Sequence, residues 1–151
     1  MELDLRPIDT STRDAVIRLT VSDHQKQYIA SNEASLVTSA EEEHKNVARP
    51  FAICTEEEIV GFAMFAFDLS SPDPEDRYWL WRFMIDKDHQ GKGYGTAALE
   101  AILAYFRIHG ANHILLSTKE TNTPALSLYH KYGFVETGEM NDDEIVLRLD
   151  L

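Results

Sequence analysis

The chain has 151 residues, 44% of them hydrophobic, with a single cysteine and a net charge of −12. That length suits one domain with one core across residues 1–151, and the acidity argues against a nucleic-acid binder, which needs a basic patch. No run reaches the roughly 18 apolar residues of a membrane span. The opening Met1-Glu2-Leu3-Asp4-Leu5 lacks the basic and apolar regions of a signal peptide, and the lone cysteine permits no intrachain disulfide, so a cytoplasmic location is expected.

Residues 3–6 alternate like a short strand. Thr10 and Ser11 suit the start of a helix reaching about residue 19. A polar helical stretch over 23–45 follows, broken near Ser31 and Asn32. Residues 51–55 and 59–67 read as a hairpin around Glu56, Glu57 and Glu58. Cys54 ends the apolar run Phe51-Ala52-Ile53-Cys54 and reads as a buried strand thiol. Turn residues mark 70–76 as a loop. An aromatic-rich strand over 78–85 precedes a helix over 94–109, which Gly110 ends. A strand over 113–118, a helix over 124–132 and a hairpin of 134–140 with 144–149 complete the chain. This order predicts an α+β sheet with helices on its faces.

The densest chemical signal lies between the 78–85 strand and its helix, at Gln90-Gly91-Lys92-Gly93-Tyr94-Gly95-Thr96. Glycines permit positive φ and close approach to a ligand. A helix N-terminus presents free N–H groups to an anion, and Lys92 adds a positive charge. A phosphate site is predicted. It is no P-loop, because Lys92 is followed by Gly93 and not by Ser or Thr. It is no dinucleotide fingerprint either, because Thr96 stands where glycine is required and no acid follows about 20 residues on.

Gln90, Gly93 and Gly95 match Q/R-x-x-G-x-G/A, and a second motif runs through Asn122-Thr123-Pro124-Ala125-Leu126-Ser127-Leu128-Tyr129 to Gly133-Phe134. With these two motifs in this order the chain resembles the GNAT superfamily of acyl-CoA-dependent N-acyltransferases. The resemblance implies a mixed, mostly antiparallel sheet of about seven strands flanked by about four helices, and acetyl-CoA as cosubstrate. It implies that Gln90, Gly91, Lys92, Gly93, Tyr94, Gly95 and Thr96 hold the pyrophosphate. Backbone groups of Met84 and Ile85 would meet the pantetheine arm and the acetyl carbonyl, where a preformed N–H serves as an oxyanion donor. Asn122 would contact the CoA arm, or simply cap its helix. Thr123 is itself a suitable cap, with Pro124 at the first helical position. Tyr129 would be the general acid that protonates the departing thiolate, against the alternative of a tyrosine packed on a helix face.

An alkyl amine of pKa about 10 must lose a proton before it attacks. The acids Glu33, Glu41 and Glu42 lie in the helical region that borders the acceptor cleft in this superfamily, and none is singled out as the base. The six histidines lack metal-ligand spacing, so no metal is expected. Residues 1–76 carry 16 acidic and 6 basic side chains, which suits a cationic acceptor.

Across nearly its full length the chain resembles short bacterial spermine/spermidine N-acetyltransferases, through Gln27-Tyr28-Ile29-Ala30-Ser31, Val60-Gly61-Phe62-Ala63-Met64 and Trp79-Leu80-Trp81-Arg82-Phe83-Met84-Ile85-Asp86. Tyr28, Glu33, Glu41 and Trp81 are then the acceptor-site candidates, with carboxylates for distal ammonium groups and aromatic faces for cation–π attraction. Other amines (an aminoglycoside, an amino acid, a protein N-terminus) and a non-catalytic acyl-CoA sensor remain alternatives. An open sheet edge at the terminal strands, together with the resemblance, suggests a homodimer.

Overall fold

A computed structural model of the chain describes residues 2–151. Seven strands form one sheet in the order β1-β2-β3-β4-β5-β7-β6. They are β1 (Asp4–Pro7), β2 (Ala48–Cys54), β3 (Ile59–Phe67), β4 (Tyr78–Ile85), β5 (His113–Thr118), β6 (Val135–Asn141) and β7 (Glu144–Asp150). Every neighbouring pair is antiparallel except β4 and β5. The helices are α1 (Thr10–Arg18), α2 (Asn32–Ala40), α3 (Tyr94–Ile108) and α4 (Thr123–Lys131). The expected α+β sheet with flanking helices is what forms.

Two apolar layers hold this sheet. On one face α3 packs Ala98, Leu99, Ile102, Leu103 and Phe106 against Phe65, Phe67, Leu80, Ile114 and Leu116. The 3–4 spacing of those helical residues makes a continuous stripe. Each large apolar side chain buried there stabilises the fold by roughly 1.5–3 kcal/mol. On the other face α1 contributes Val16 and α2 contributes Leu36, over Ala52, Cys54, Phe62, Met64 and Met84. Cys54 is buried as expected, and burial pushes its thiol pKa up. No helix of the described residues is long and apolar enough to cross a membrane.

Three sequence expectations change. The polar stretch 23–45 is not one broken helix. It holds a short 3₁₀ turn at Asp23–Gln25, then α2, which ends at Ala40 because Glu41 is extended. Residues 41–47 coil in turns, with Lys45 N–H donating to the Glu41 carbonyl and Ala48 N–H to that of His44. β2 begins before Pro50, not after it. β1 stops where Pro7 faces Phe51, so the missing N–H of Pro50 removes no bond on that side. Finally, the 70–76 loop runs into a 3₁₀ turn at Pro74–Arg77.

Candidate active site

The site arises where the sheet opens. β4 and β5 are parallel and share the single registered pair Trp79–Leu115. Beyond it β4 continues to Ile85 and β5 to Thr118 without pairing, which leaves a gap between their C-terminal halves. A cavity of about 910 Å³ follows that gap across the molecule. Such a gap frees backbone hydrogen-bonding groups that a ladder would otherwise consume.

Which groups face the gap follows from strand alternation. Asp86 N–H donates to the Val60 carbonyl, so its peptide group faces β3. Met84, two residues back, faces the same way, whereas Phe83 and Ile85 face the gap. The Ile85 carbonyl accepts the Gln90 side-chain amide at 2.9 Å. Of the two expected backbone donors, Ile85 is therefore placed at the gap. The Met84 N–H faces β3 instead; Met84 still lines the cavity, with its side chain largely buried in the α1–α2 layer, where its Sδ lies 3.7 Å from Asn32 Nδ2.

The glycine-rich loop is anchored where it leaves β4. Asp86 Oδ1 accepts the Thr20 N–H at 3.0 Å, and Oδ2 accepts from the Asp88 N–H and from His89 Nδ1. Burial works against the charged form of Asp86, yet these donors hold its carboxyl below the usual range. Gln90 also forms a reciprocal amide pair with Gln25, at 3.1 and 3.3 Å. Gly91 and Gly93 take positive φ of 75° and 87°, and Gly93 starts α3 without a side-chain cap. Among the described residues no acceptor is found for the N–H groups of Tyr94, Gly95 and Thr96. A Cβ added at Gly95 would meet nothing within 4 Å, so space lies over that first turn. Gln90, Gly91 and Gly95 line the cavity; Lys92 is exposed beside it. Free N–H groups, a helix N-terminus and open space together form a cradle for a phosphate group.

Across the gap, α4 brings Tyr129 to the cavity wall. Its ring meets Phe134 edge-on at 5.5 Å. Its hydroxyl makes no hydrogen bond within the described residues, and burial pushes the phenol pKa well up. Asn122, and not Thr123, is the N-cap of α4, but its side chain does not cap; its Nδ2 donates to Thr118 Oγ1 at 3.1 Å. It too lines the cavity.

The Acetyltransferase (GNAT) family model matches residues 13–134. The chain belongs to this family of acetyltransferases. The spermine/spermidine N(1)-acetyltransferase of Bacillus subtilis (strain 168) is 31% identical over 153 aligned positions, which cover 98% of this chain and 99% of that protein. A probable spermine N(1)-acetyltransferase of Bacillus subtilis subsp. natto (strain BEST195) is 32% identical over the same share of each. The spermidine N-acetyltransferase of Vibrio cholerae, solved with CoA and spermine, superposes with a TM-score of 0.71 at 22% identity, over 97% of this chain and 93% of that one. An aminoglycoside acetyltransferase solved with coenzyme A gives 0.76 at 17% identity, over 99% and 95%. The two solved structures share the fold.

In this GNAT enzyme the remainder of the cavity is lined by both polar and aromatic groups. Tyr28 reaches over from the α1–α2 connection and donates to the Thr121 carbonyl at 3.1 Å. Trp81 lines the wall with Tyr28 and meets the His44 ring edge-on at 5.1 Å. Glu33 and Glu41, by contrast, are exposed and do not line the cavity. Glu41 turns toward His44 and, with Glu43, forms an exposed acidic group. The α2 helix ends before it could carry Glu41 to the wall.

Sequence reading missed a β-bulge. Met64 pairs with Arg82 and Phe65 with Leu80, so Trp81 is extra. Leu80 and Phe83 both pack on the α3 face while Trp81 and Met84 pack on the other. The bulge thus turns consecutive side chains, Trp81 and Arg82, to one side. Arg82 lines the cavity with its guanidinium 5.4 Å from the Trp81 ring centre, and its Nε is buried without a partner. Burial pushes its pKa down, and the Glu144 carboxylate opposes that shift. Glu144, Ser117, Asp68 and Asp76 also line the wall unforeseen. No spacing rule could reach Glu144, because β7 adjoins β5 only through the strand order.

Proposed function

We propose that this enzyme transfers the acetyl group of acetyl-CoA to a primary amine of a polyamine such as spermine or spermidine. The observation that carries the reading is identity of 31% to a spermine/spermidine N(1)-acetyltransferase over 98% of this chain. A cavity with aromatic walls and three lining acids supports it.

The free N–H groups at the start of α3 bind the pyrophosphate of acetyl-CoA, and Lys92 adds charge at the rim. The Ile85 N–H, directed into the β4–β5 gap, donates to the thioester carbonyl and stabilises the oxygen as negative charge develops on it. The neutral amine attacks the carbonyl carbon, the C–S bond breaks, and the Tyr129 hydroxyl passes its proton to the CoA sulfur; the proton that the acetylated nitrogen then sheds returns through water to the tyrosine oxygen, so thiol and amide leave and the enzyme is unchanged. Asn122 steadies the end of β5 beside the CoA arm. Tyr28 and Trp81 offer aromatic faces to the acceptor's ammonium groups.

Arg82 favours a second reading. A half-buried guanidinium, whose Nη1 donates to the Trp81 carbonyl at 3.0 Å while its Nε has no partner, suits an acceptor that carries a carboxylate beside its amine. Release of CoA thiol should be measured with spermine, spermidine, putrescine, an aminoglycoside, lysine and a peptide. Saturable turnover of spermine or spermidine, well above the rest, upholds the polyamine reading. Preference for lysine or the peptide replaces it with the second one. Two copies would pair along β6, which is exposed throughout and carries Val135 and Met140 at its surface; sedimentation at several concentrations tests that homodimer.

A further inference from the structure

An alkylammonium that leaves water for a cleft needs a carboxylate to replace its hydration. Three acids line this cleft: Asp68, Asp76 and Glu144. Asp68 and Asp76 belong to the β3–β4 connection, which precedes Tyr78 and so lies at the closed end of the β4–β5 gap. Asp68 also takes a bond from the Ser70 hydroxyl at 3.3 Å.

Glu144 stands at the other end. It opens β7, whose register on β5 sets Val146 opposite Ser117 and Ile145 opposite Thr118. Those are the β5 residues that have parted from β4. The Ser117 hydroxyl donates to Glu144 Oε1 at 2.8 Å, and Asn141 Nδ2 donates to Ser117 Oγ at 3.4 Å. One carboxylate oxygen is therefore fixed, while Oε2 has no hydrogen-bond partner among the described residues. Arg82 lines the same cavity and feels the Glu144 charge, yet makes no direct salt bridge with it among the described residues, so Oε2 is left to meet a ligand cation.

We propose that Glu144 is the carboxylate that binds an ammonium group of the acceptor, oriented for it by Ser117. This rests on reading the cleft as the acceptor site of an amine acetyltransferase. It is a binding and specificity role, so it should appear in the KM of the amine before it appears in kcat.

The test replaces Glu144 by Gln, which keeps an oxygen for Ser117 and removes the charge. Amine KM and kcat are measured for the panel above, with CoA affinity followed by calorimetry as a control for folding. Loss of a charge-assisted contact should raise the KM of the best amine roughly tenfold or more. CoA affinity should stay unchanged. Ser117→Ala should give a smaller rise, and Glu144→Asp an intermediate one. If spermine or spermidine is the best amine and Glu144→Gln leaves its KM unaltered, the Glu144 assignment is overturned and the polyamine reading stands. If another amine is preferred and its KM rises in the variant, the polyamine reading falls and Glu144 keeps its role. If no amine binds or turns over in the wild type, both fall.

Discussion

As the proposed general acid, Tyr129 has to hold its proton until the thiolate leaves. Burial raises its pKa, so the hydroxyl stays protonated throughout the neutral range. Tyr129→Phe removes the acid while keeping the ring that meets Phe134, so kcat should fall roughly 10²-fold with acetyl-CoA affinity nearly intact. A variant with wild-type kcat would end the assignment. The same burial predicts the pH profile: kcat should show no alkaline fall near pH 10, where an ordinary tyrosine titrates. Asp86 is the opposite case. Its folded carboxyl sits below the ordinary value, so its stabilisation is present above the unfolded pKa of about 3.9 and is lost as pH falls through the lower folded value. Asp86→Asn should therefore lose roughly 1–3 kcal/mol at pH 7, and the gap to wild type should close in strong acid. Urea unfolding at both pH values measures it; an equal gap at each would assign the loss to packing instead.

At the level of elements, the glycine-rich loop and the β4–β5 gap make the candidate site, and they were unequally legible. Gln90, Gly93 and Gly95 stand next to one another in sequence, so the loop could be found by spacing. Likewise, the helix-forming run of α3 and the continuous apolar run of β3 announced their own elements. Glu144 could not be found that way, since only the strand order brings β7 to β5. Nor could Arg82 be aimed without knowledge of the bulge at Trp81. Glu41 stands off the cavity wall for a related reason. A run of good helix formers suggested a helix that the extended Glu41 in fact ends. The loop itself yields a prediction with two opposite signs. Gly95 has ordinary helical geometry and open space, so Gly95→Ala should stabilise the free protein by about 0.5–1 kcal/mol. The new methyl stands where the phosphate must approach, so CoA affinity should fall at the same time. Thermal unfolding and calorimetry on one variant read both effects; a gain in both would move the phosphate away from this turn.

Over the whole molecule the charge is −12, and residues 1–76 carry 16 acids against 6 bases. That half supplies the α1–α2 connection and the β3–β4 connection, which line the cavity with Tyr28, Asp68 and Asp76. The cosubstrate cradle belongs to the other half, at an α-helix N-terminus with Lys92 nearby. Acetyl-CoA is an anion and must approach a molecule of its own sign, relying on local donors once it arrives. The proposed polyamine acceptor, a cation, would be drawn by the long-range field. Salt screens long-range fields first, since the Debye length is about 10 Å at 0.1 M. Raising ionic strength should therefore lower kcat/KM for spermine, by up to about tenfold if steering governs encounter. The value for acetyl-CoA should stay flat or rise. Initial rates with each substrate varied in turn, from low to high potassium chloride, give both slopes. A matching fall for the two substrates would mean that salt acts on the enzyme as a whole and not on charge-guided arrival. Opposed slopes would tie the acidic half of this chain to the capture of its cationic acceptor.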